Sequence, residues 1–207
     1  MSLPLLSLVM GIPSTPMATN FYLDSSDSTG NFSTTAVERR AQIQAHARIV
    51  AAGDLVIVGE AAGWQGARQS GVAFTSPLMV GLPGTREPSA TTVHRALTAH
   101  GLEDRTLLWN AFPLHPHELG LPATNRTPTR AELASGEAAL REALRGRRVI
   151  CVGAKATDSV GRVLGAAVPL ARDMTGTETA IAIRHPSFGG VREFQTGFNQ
   201  LVAAWRL

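Results

Sequence analysis

Four short apolar runs alternate with longer stretches of mixed polarity along the chain. Leu55-Val-Ile-Val58, Thr106-Leu-Leu-Trp109, Arg148-Val-Ile-Cys-Val152 and Thr179-Ala-Ile-Ala-Ile183 are almost wholly apolar. Runs of that length without alternation read as strands buried on both faces, the usual state of a parallel sheet. Thr35-Ala-Val-Glu38 is a capping box and predicts a helix to about Ala52, with Gly53 as its stop. Ser89 is the predicted cap of a helix to about His100, ended by Gly101. A second capping box, Thr129-Arg-Ala-Glu132, opens a helix to about Arg145, and helices are expected over Lys155 to Leu164 and Arg192 to Trp205. Two long loops remain: a Gly-rich one from Gly59 to about Pro88, and residues 111–128, which hold four prolines.

The predicted order is α-β-α-β-α-β-α-β-α. Right-handed crossovers then give a three-layer α/β/α sandwich around a central four-stranded parallel sheet. Residues 35–207 are expected to form this domain, with residues 1–34 set apart as a partly irregular N-terminal extension. Met1–Met10 is apolar but has no cationic start, and Pro4, Pro13 and Pro16 interrupt the segment. It is a poor secretory signal, and either Met1 or Met17 serves as a start. Residues 18–34 are rich in Ser, Thr, Asn, Asp and Gly and read as loop, with Phe21, Tyr22 and Phe32 as anchors onto the domain.

Composition narrows the chemistry. At 207 residues with 44% apolar and 17% charged residues, the chain can build one full core. A single cysteine, Cys151, excludes an internal disulfide, a CxxC zinc site and a four-cysteine cluster. No apolar run reaches the roughly 18 residues of a membrane-spanning helix. The net charge is +3, yet residues 1–35 carry two aspartates and no cation, which leaves +5 on the rest. Eighteen of the 19 basic residues are arginine and Lys155 is the one lysine. Arginine suits bidentate phosphate contacts, although a GC-rich coding bias yields the same skew, so the charge permits a nucleic-acid partner without establishing one.

In open α/β sheets ligands bind beyond the carboxyl ends of the strands. Polar or glycine residues stand there in all four cases: Gly59-Glu60, Asn110, Gly153 and His185. Gly59-Glu-Ala-Ala-Gly63 is neither GxGxxG nor a P-loop, so it reads as a close-approach loop for a ligand or as a plain βα turn. Glu60 either positions a water or the loop, or is simply exposed. Phe74, flanked by small residues, is a stacking platform or a core residue. Asn110 offers a donor and an acceptor together, matched to a base edge or used to tie down a loop. His115 and His117 flank a proline and lack a third ligand, so they read as loop-shaping residues and not as a metal site. His185-Pro-Ser187-Phe-Gly-Gly190 supplies an imidazole for an oxyanion or for proton transfer, or a buried structural histidine. No G-x-S-x-G elbow is present, against a serine hydrolase.

Together these segments resemble the uracil-DNA glycosylase superfamily. Gly59-Glu-Ala-Ala-Gly63 is similar to the GEAPG motif of its iron–sulfur branch, and Ser70-Gly-Val-Ala-Phe74 to that branch's segment with a stacking phenylalanine. Leu108-Trp-Asn110, Asn125-Arg-Thr-Pro-Thr129, Val152-Gly-Ala-Lys-Ala156 and His185-Pro-Ser187 follow in the family order, from about residue 36 to the end. The cluster cysteines are missing, Ala62 stands for the motif proline, and Ala61 stands where other branches carry a water-activating Asp or Asn. The chain therefore resembles a cluster-free bacterial subgroup.

The resemblance implies a monofunctional glycosylase that flips uracil out of DNA and hydrolyses its N-glycosidic bond, leaving an abasic site for base excision repair. It implies His185, Asn110 and Glu60 as catalytic residues, with Gly59, Ala61, Gly63, Phe74 and Asn110 holding the base. Pro186, Ser187 and Gly189 would press into the minor groove, and Arg68, Arg184 and Arg192 would meet phosphates. It implies no metal and no organic cofactor, a monomer, no membrane, and a cytoplasmic, nucleoid-associated place in a bacterium. Two other readings keep the fold: a glycosylase for another deaminated base, hypoxanthine or xanthine, and a non-catalytic or covalently trapping uracil-DNA-binding protein.

Overall fold

The four apolar runs form one parallel sheet, as their lack of alternation requires. The computed structural model describes residues 3–28 and 31–207. The strands are β2 (Leu55–Ala61), β3 (Thr106–Phe112), β5 (Arg148–Val152) and β6 (Ala180–Ile183), in the spatial order β3-β2-β5-β6. Leu55 through Val58 and Ile150 through Val152 are almost fully buried, because helices cover both faces. The helices are α2 (Ala36–Ile49), the single-turn α3 (Ala67–Ser70), α4 (Pro88–His100), α5 (Arg130–Leu144), α6 (Ala154–Leu164) and α7 (Val191–Trp205). Helix α5 packs on α6, and α4 packs on α7. The fold is the expected α/β/α sandwich.

Strand order decides where a ligand goes. The chain starts the sheet at β2, steps outward to β3, then crosses back to β5 and β6. The connections leaving β2 and β5 therefore diverge, and a crevice opens between them at the carboxyl end of the sheet.

Both capping boxes are present, at Thr35 and Glu38 and at Thr129 and Glu132. Several boundaries differ from expectation, and α2 ends at Ile49 with Val50 as its C-cap, short of the expected stop at Gly53. Helix α4 starts at Pro88 with Glu87 as its cap, because the fixed φ of proline suits the first helical position. Strand β2 runs on through Gly59, Glu60 and Ala61, whose pairing with β3 continues to Ala61 opposite Phe112. Asn110 consequently lies inside β3, level with Gly59.

The N-terminal segment contains a helix, α1 (Leu3–Met10), that packs against α5. Strand β1 (Ala18–Thr19) pairs antiparallel with β4 (His115–Pro116). The Asn20 amide donates to the Val9 and Ile12 carbonyls at 2.8 and 2.7 Å, satisfying acceptors at the end of α1. All three anchoring aromatics are engaged. Phe21 and Tyr22 are buried, the Tyr22 hydroxyl donates to the Gly71 carbonyl at 2.7 Å, and Phe32 lies between the Arg39 and Arg68 guanidiniums at 4.0 and 3.9 Å.

Candidate active site

A cleft of about 490 Å³ occupies the crevice at the carboxyl end of the sheet. It receives Gly59 to Gly63 from the end of β2, Asn110 from β3, Gly153 from β5 and His185 from beyond β6. Phe74 enters from the long loop that precedes α4. The sequence-derived motifs thus converge on one cavity.

Gly59 is the point of convergence. A Cβ placed there would lie 2.7 Å from Asn110 Oδ1 and 2.7 Å from Phe74 Cζ. A side chain at 59 would drive the ring and the amide from their places, so the absence of one sets their mutual geometry. Asn110 is 6% exposed, and among the described residues no hydrogen bond occupies its side-chain amide. A nearly buried amide with both ends uncommitted is suited to a ligand that supplies a matching donor and acceptor. Gly59→Ala is expected to reduce catalysis about 10²-fold by displacing both groups. It is also expected to cost about 1–3 kcal/mol of stability through overpacking. Single-turnover kinetics and urea unfolding on the same preparation test both numbers.

Phe74 has φ +49°, a strained value for a residue with a Cβ, which costs about 1–3 kcal/mol. The loop around it is over-determined. Ser70 Oγ accepts from Val72 N–H at 3.1 Å and donates to the Thr75 carbonyl at 2.6 Å. Thr75 Oγ1 donates to the Ala73 carbonyl at 3.1 Å and lies 3.2 Å from His94 Nε2.

His185 is oriented by its own loop. The Ser187 backbone N–H donates to Nδ1 at 3.1 Å, and the Ser187 hydroxyl lies 2.7 Å from the same nitrogen. A backbone N–H can only donate, so Nδ1 accepts and the ring proton sits on Nε2. Burial first, and the Arg184 charge second, hold the imidazole below its ordinary range. His185 is therefore a neutral ring presenting an Nε2–H donor, the arrangement that stabilises a developing oxyanion without first losing a proton.

Glu60 lines the cleft with Oε1 buried and unpartnered. Burial raises its carboxyl above the ordinary range, opposed by the Thr127 hydroxyl and the Lys155 charge. Ala61 and Gly63 also line the cavity, and Arg184 and Ser187 stand at the His185 side. Pro186 is buried, whereas Gly189 and Arg192 are exposed beside it.

Arg68 is a correction. It is fully buried, stacks on Phe32 and donates to the Asn31 carbonyl at 3.2 Å, so it does not reach a phosphate. Burial and the neighbouring Arg39 lower its guanidinium to about 10. His115 and His117 serve the loops: His115 Nδ1 lies 2.7 Å from the Ala62 carbonyl, and His117 Nε2 lies 2.9 Å from Thr19 Oγ1.

Two residues at the cleft escaped the sequence reading. Phe188 is 98% exposed at φ +51° and lines the rim beside His185. Its signal was its position inside the His-Pro-Ser-Phe-Gly-Gly loop. Glu87, the cap of α4, also lines the cavity. It lies in a loop without any recognisable motif.

Residues 48–207 match the model of a family described as the uracil DNA glycosylase superfamily. Among solved structures the chain is similar to the crystal structure of wild-type Pedobacter heparinus SMUG2. That match has a TM-score of 0.58 at 13% identity and covers 97% of this chain and 94% of that one. At that identity the likeness concerns the fold. A search of curated proteins finds no match. Among the described residues no helix is long and apolar enough to cross a membrane.

Proposed function

The chain belongs to the uracil DNA glycosylase superfamily, a family of DNA glycosylases, and we propose that its own reaction is release of uracil from DNA to leave an abasic site. The observation that carries this reading is the meeting of Phe74 and Asn110 over Gly59, with the His185 Nε2–H donor in the same cavity. A base turned out of the stack enters the cleft. Phe74 stacks on its face. The Asn110 amide accepts from N3–H and donates to O4, a pattern that cytosine reverses. As the C1′–N1 bond breaks, negative charge on O2 meets the His185 Nε2–H. Backbone groups of Gly59 to Gly63 hold the base, with Ala61 leaving its side unobstructed. Glu60 steadies that loop through Thr127 and Lys155.

At the rim of the cleft, Ser187 and Gly189 meet the minor groove and Arg184 and Arg192 meet phosphates, while Pro186, being buried, shapes the loop and does not itself touch DNA. Phe188, exposed beside them, fills the gap that the flipped base leaves, as apolar wedges do at unstacked steps. Phe188→Ala is expected to lower excision from duplex DNA about tenfold and to leave excision from single strands within about twofold. Equal losses on both substrates would remove the wedge.

The test of the substrate is base release from otherwise identical DNA carrying uracil, hypoxanthine or xanthine. Release of uracil alone supports the proposal. Release of a purine in its place would move the reading to another deaminated base. A protein–DNA adduct that survives denaturation would replace hydrolysis by covalent trapping.

A further inference from the structure

Hydrolysis needs a group to take the proton of the attacking water, and Ala61 carries none. Two carboxylates line the cleft, Glu60 and Glu87, and their surroundings differ. Glu60 has the Thr127 hydroxyl and the Lys155 ammonium to offset its burial. Glu87 has neither. Among the described residues no hydrogen bond or ion pair holds its carboxylate, and burial alone pushes it above the ordinary carboxylate range. That direction makes it a better proton acceptor.

The placement of Glu87 is fixed from both sides. Its backbone N–H donates to Ser76 Oγ at 2.7 Å, and it is the last extended residue before Pro88 starts α4, at φ −99° and ψ 125°. From there the side chain lies over the loop that follows β2. A Cβ on Gly66 would stand 2.0 Å from Glu87 Oε2, and one on Gly63 would stand 3.0 Å from Oε1. Any side chain at 66 would expel the carboxylate, so the glycine keeps a seat for it beside the base-holding loop. An unpaired carboxylate in a cleft that receives a polyanion opposes binding. Such groups are placed where they do chemistry.

We propose that Glu87 is the catalytic base of this enzyme and takes the proton of the attacking water. This rests on the glycosylase reading above. The C1′–N1 bond breaks and its electron pair leaves with the base, where the charge gathers on the oxygen facing His185. The water oxygen forms the new bond to C1′. Its proton passes to the Glu87 carboxylate and then to solvent. The other charged and titratable groups lining the cleft are Glu60, Lys155, Arg184 and His185, together with Arg126, whose charge is paired with Glu132 at 2.6 Å.

The test compares wild type, Glu87→Gln and Glu87→Ala in single-turnover base release from end-labelled uracil DNA. Both variants are expected to lose roughly 10²-fold or more in rate. Their affinity for the DNA stays equal or tightens, and their melting temperature does not fall, since neither removes a bond. Sodium formate, a small carboxylate able to enter the space left by truncation, is expected to restore part of the rate of Glu87→Ala and none of that of His185→Ala. Rates within about threefold of an active wild type overturn the assignment and leave the glycosylase reading in place. A loss in Glu87→Ala that formate does not relieve makes Glu87 a structural residue and also overturns it. A wild type inert on uracil DNA overturns the glycosylase reading and this inference with it.

Discussion

His185→Ala is expected to slow base release roughly 10²–10³-fold, the effect of deleting one preorganised oxyanion donor. DNA affinity is expected to change by no more than about threefold, because the donor acts on charge that appears only as the bond breaks. The Ser187 N–H fixes Nδ1 as an acceptor and leaves Nε2–H as the donor. Burial and the Arg184 charge keep the ring neutral. Equal losses in rate and affinity would mean that the imidazole binds substrate and transition state alike. Single-turnover rates and fluorescence-anisotropy binding on one DNA separate the two cases.

The second large effect concerns stability. Arg39→Ala is expected to cost about 3–5 kcal/mol, measured by urea unfolding, because it removes a fully buried guanidinium, leaves the Phe21 and Thr34 carbonyls without that donor, and unpairs the partly exposed Asp27 carboxylate. The Arg39 guanidinium is fully buried. It donates to the carbonyls of Phe21 and Thr34, to the hydroxyls of Thr34 and Ser26, and to the Asp27 carboxylate. Asp27 in turn accepts from the Ala36 N–H at 2.9 Å, at the first turn of α2. One side chain therefore joins the N-terminal segment to the first helix of the sandwich. Arg39→Lys is expected to recover little, since an ammonium lacks the planar fork that meets five acceptors at once. A loss below about 1 kcal/mol for the alanine variant would show the network to be dispensable.

The sheet and most helices were legible because parallel strands buried on both faces leave uninterrupted apolar runs, and because capping boxes are local signals. The continuation of β2 was not legible. Gly59 and Glu60 end the apolar run, while the pairing that carries β2 onward is supplied by β3, far along the chain. Helix α1 is short, and it is held by α5 and by Asn20, contacts that no local pattern announces. The start of α4 was available in principle, since Pro88 marks a first helical position more firmly than Ser89 marks a cap.

For the site, Gly59, Phe74, Asn110 and His185 were readable because they closely follow the apolar run of a strand or lie in small-residue loops. Arg68 was misread. A buried arginine and a phosphate-binding one look alike in sequence, and its ring partner Phe32 lies in a distant segment. Glu87 was missed for the converse reason, as only the folded chain brings it over Gly63 and Gly66.

The decisive measurement is alkali-dependent strand cleavage of end-labelled DNA containing a single uracil, with wild type and His185→Ala side by side. Wild type is expected to give a break at the uracil, visible only after hot alkali, and His185→Ala almost none. Uracil left intact by wild type, on DNA that it demonstrably binds, would contradict the proposed uracil release.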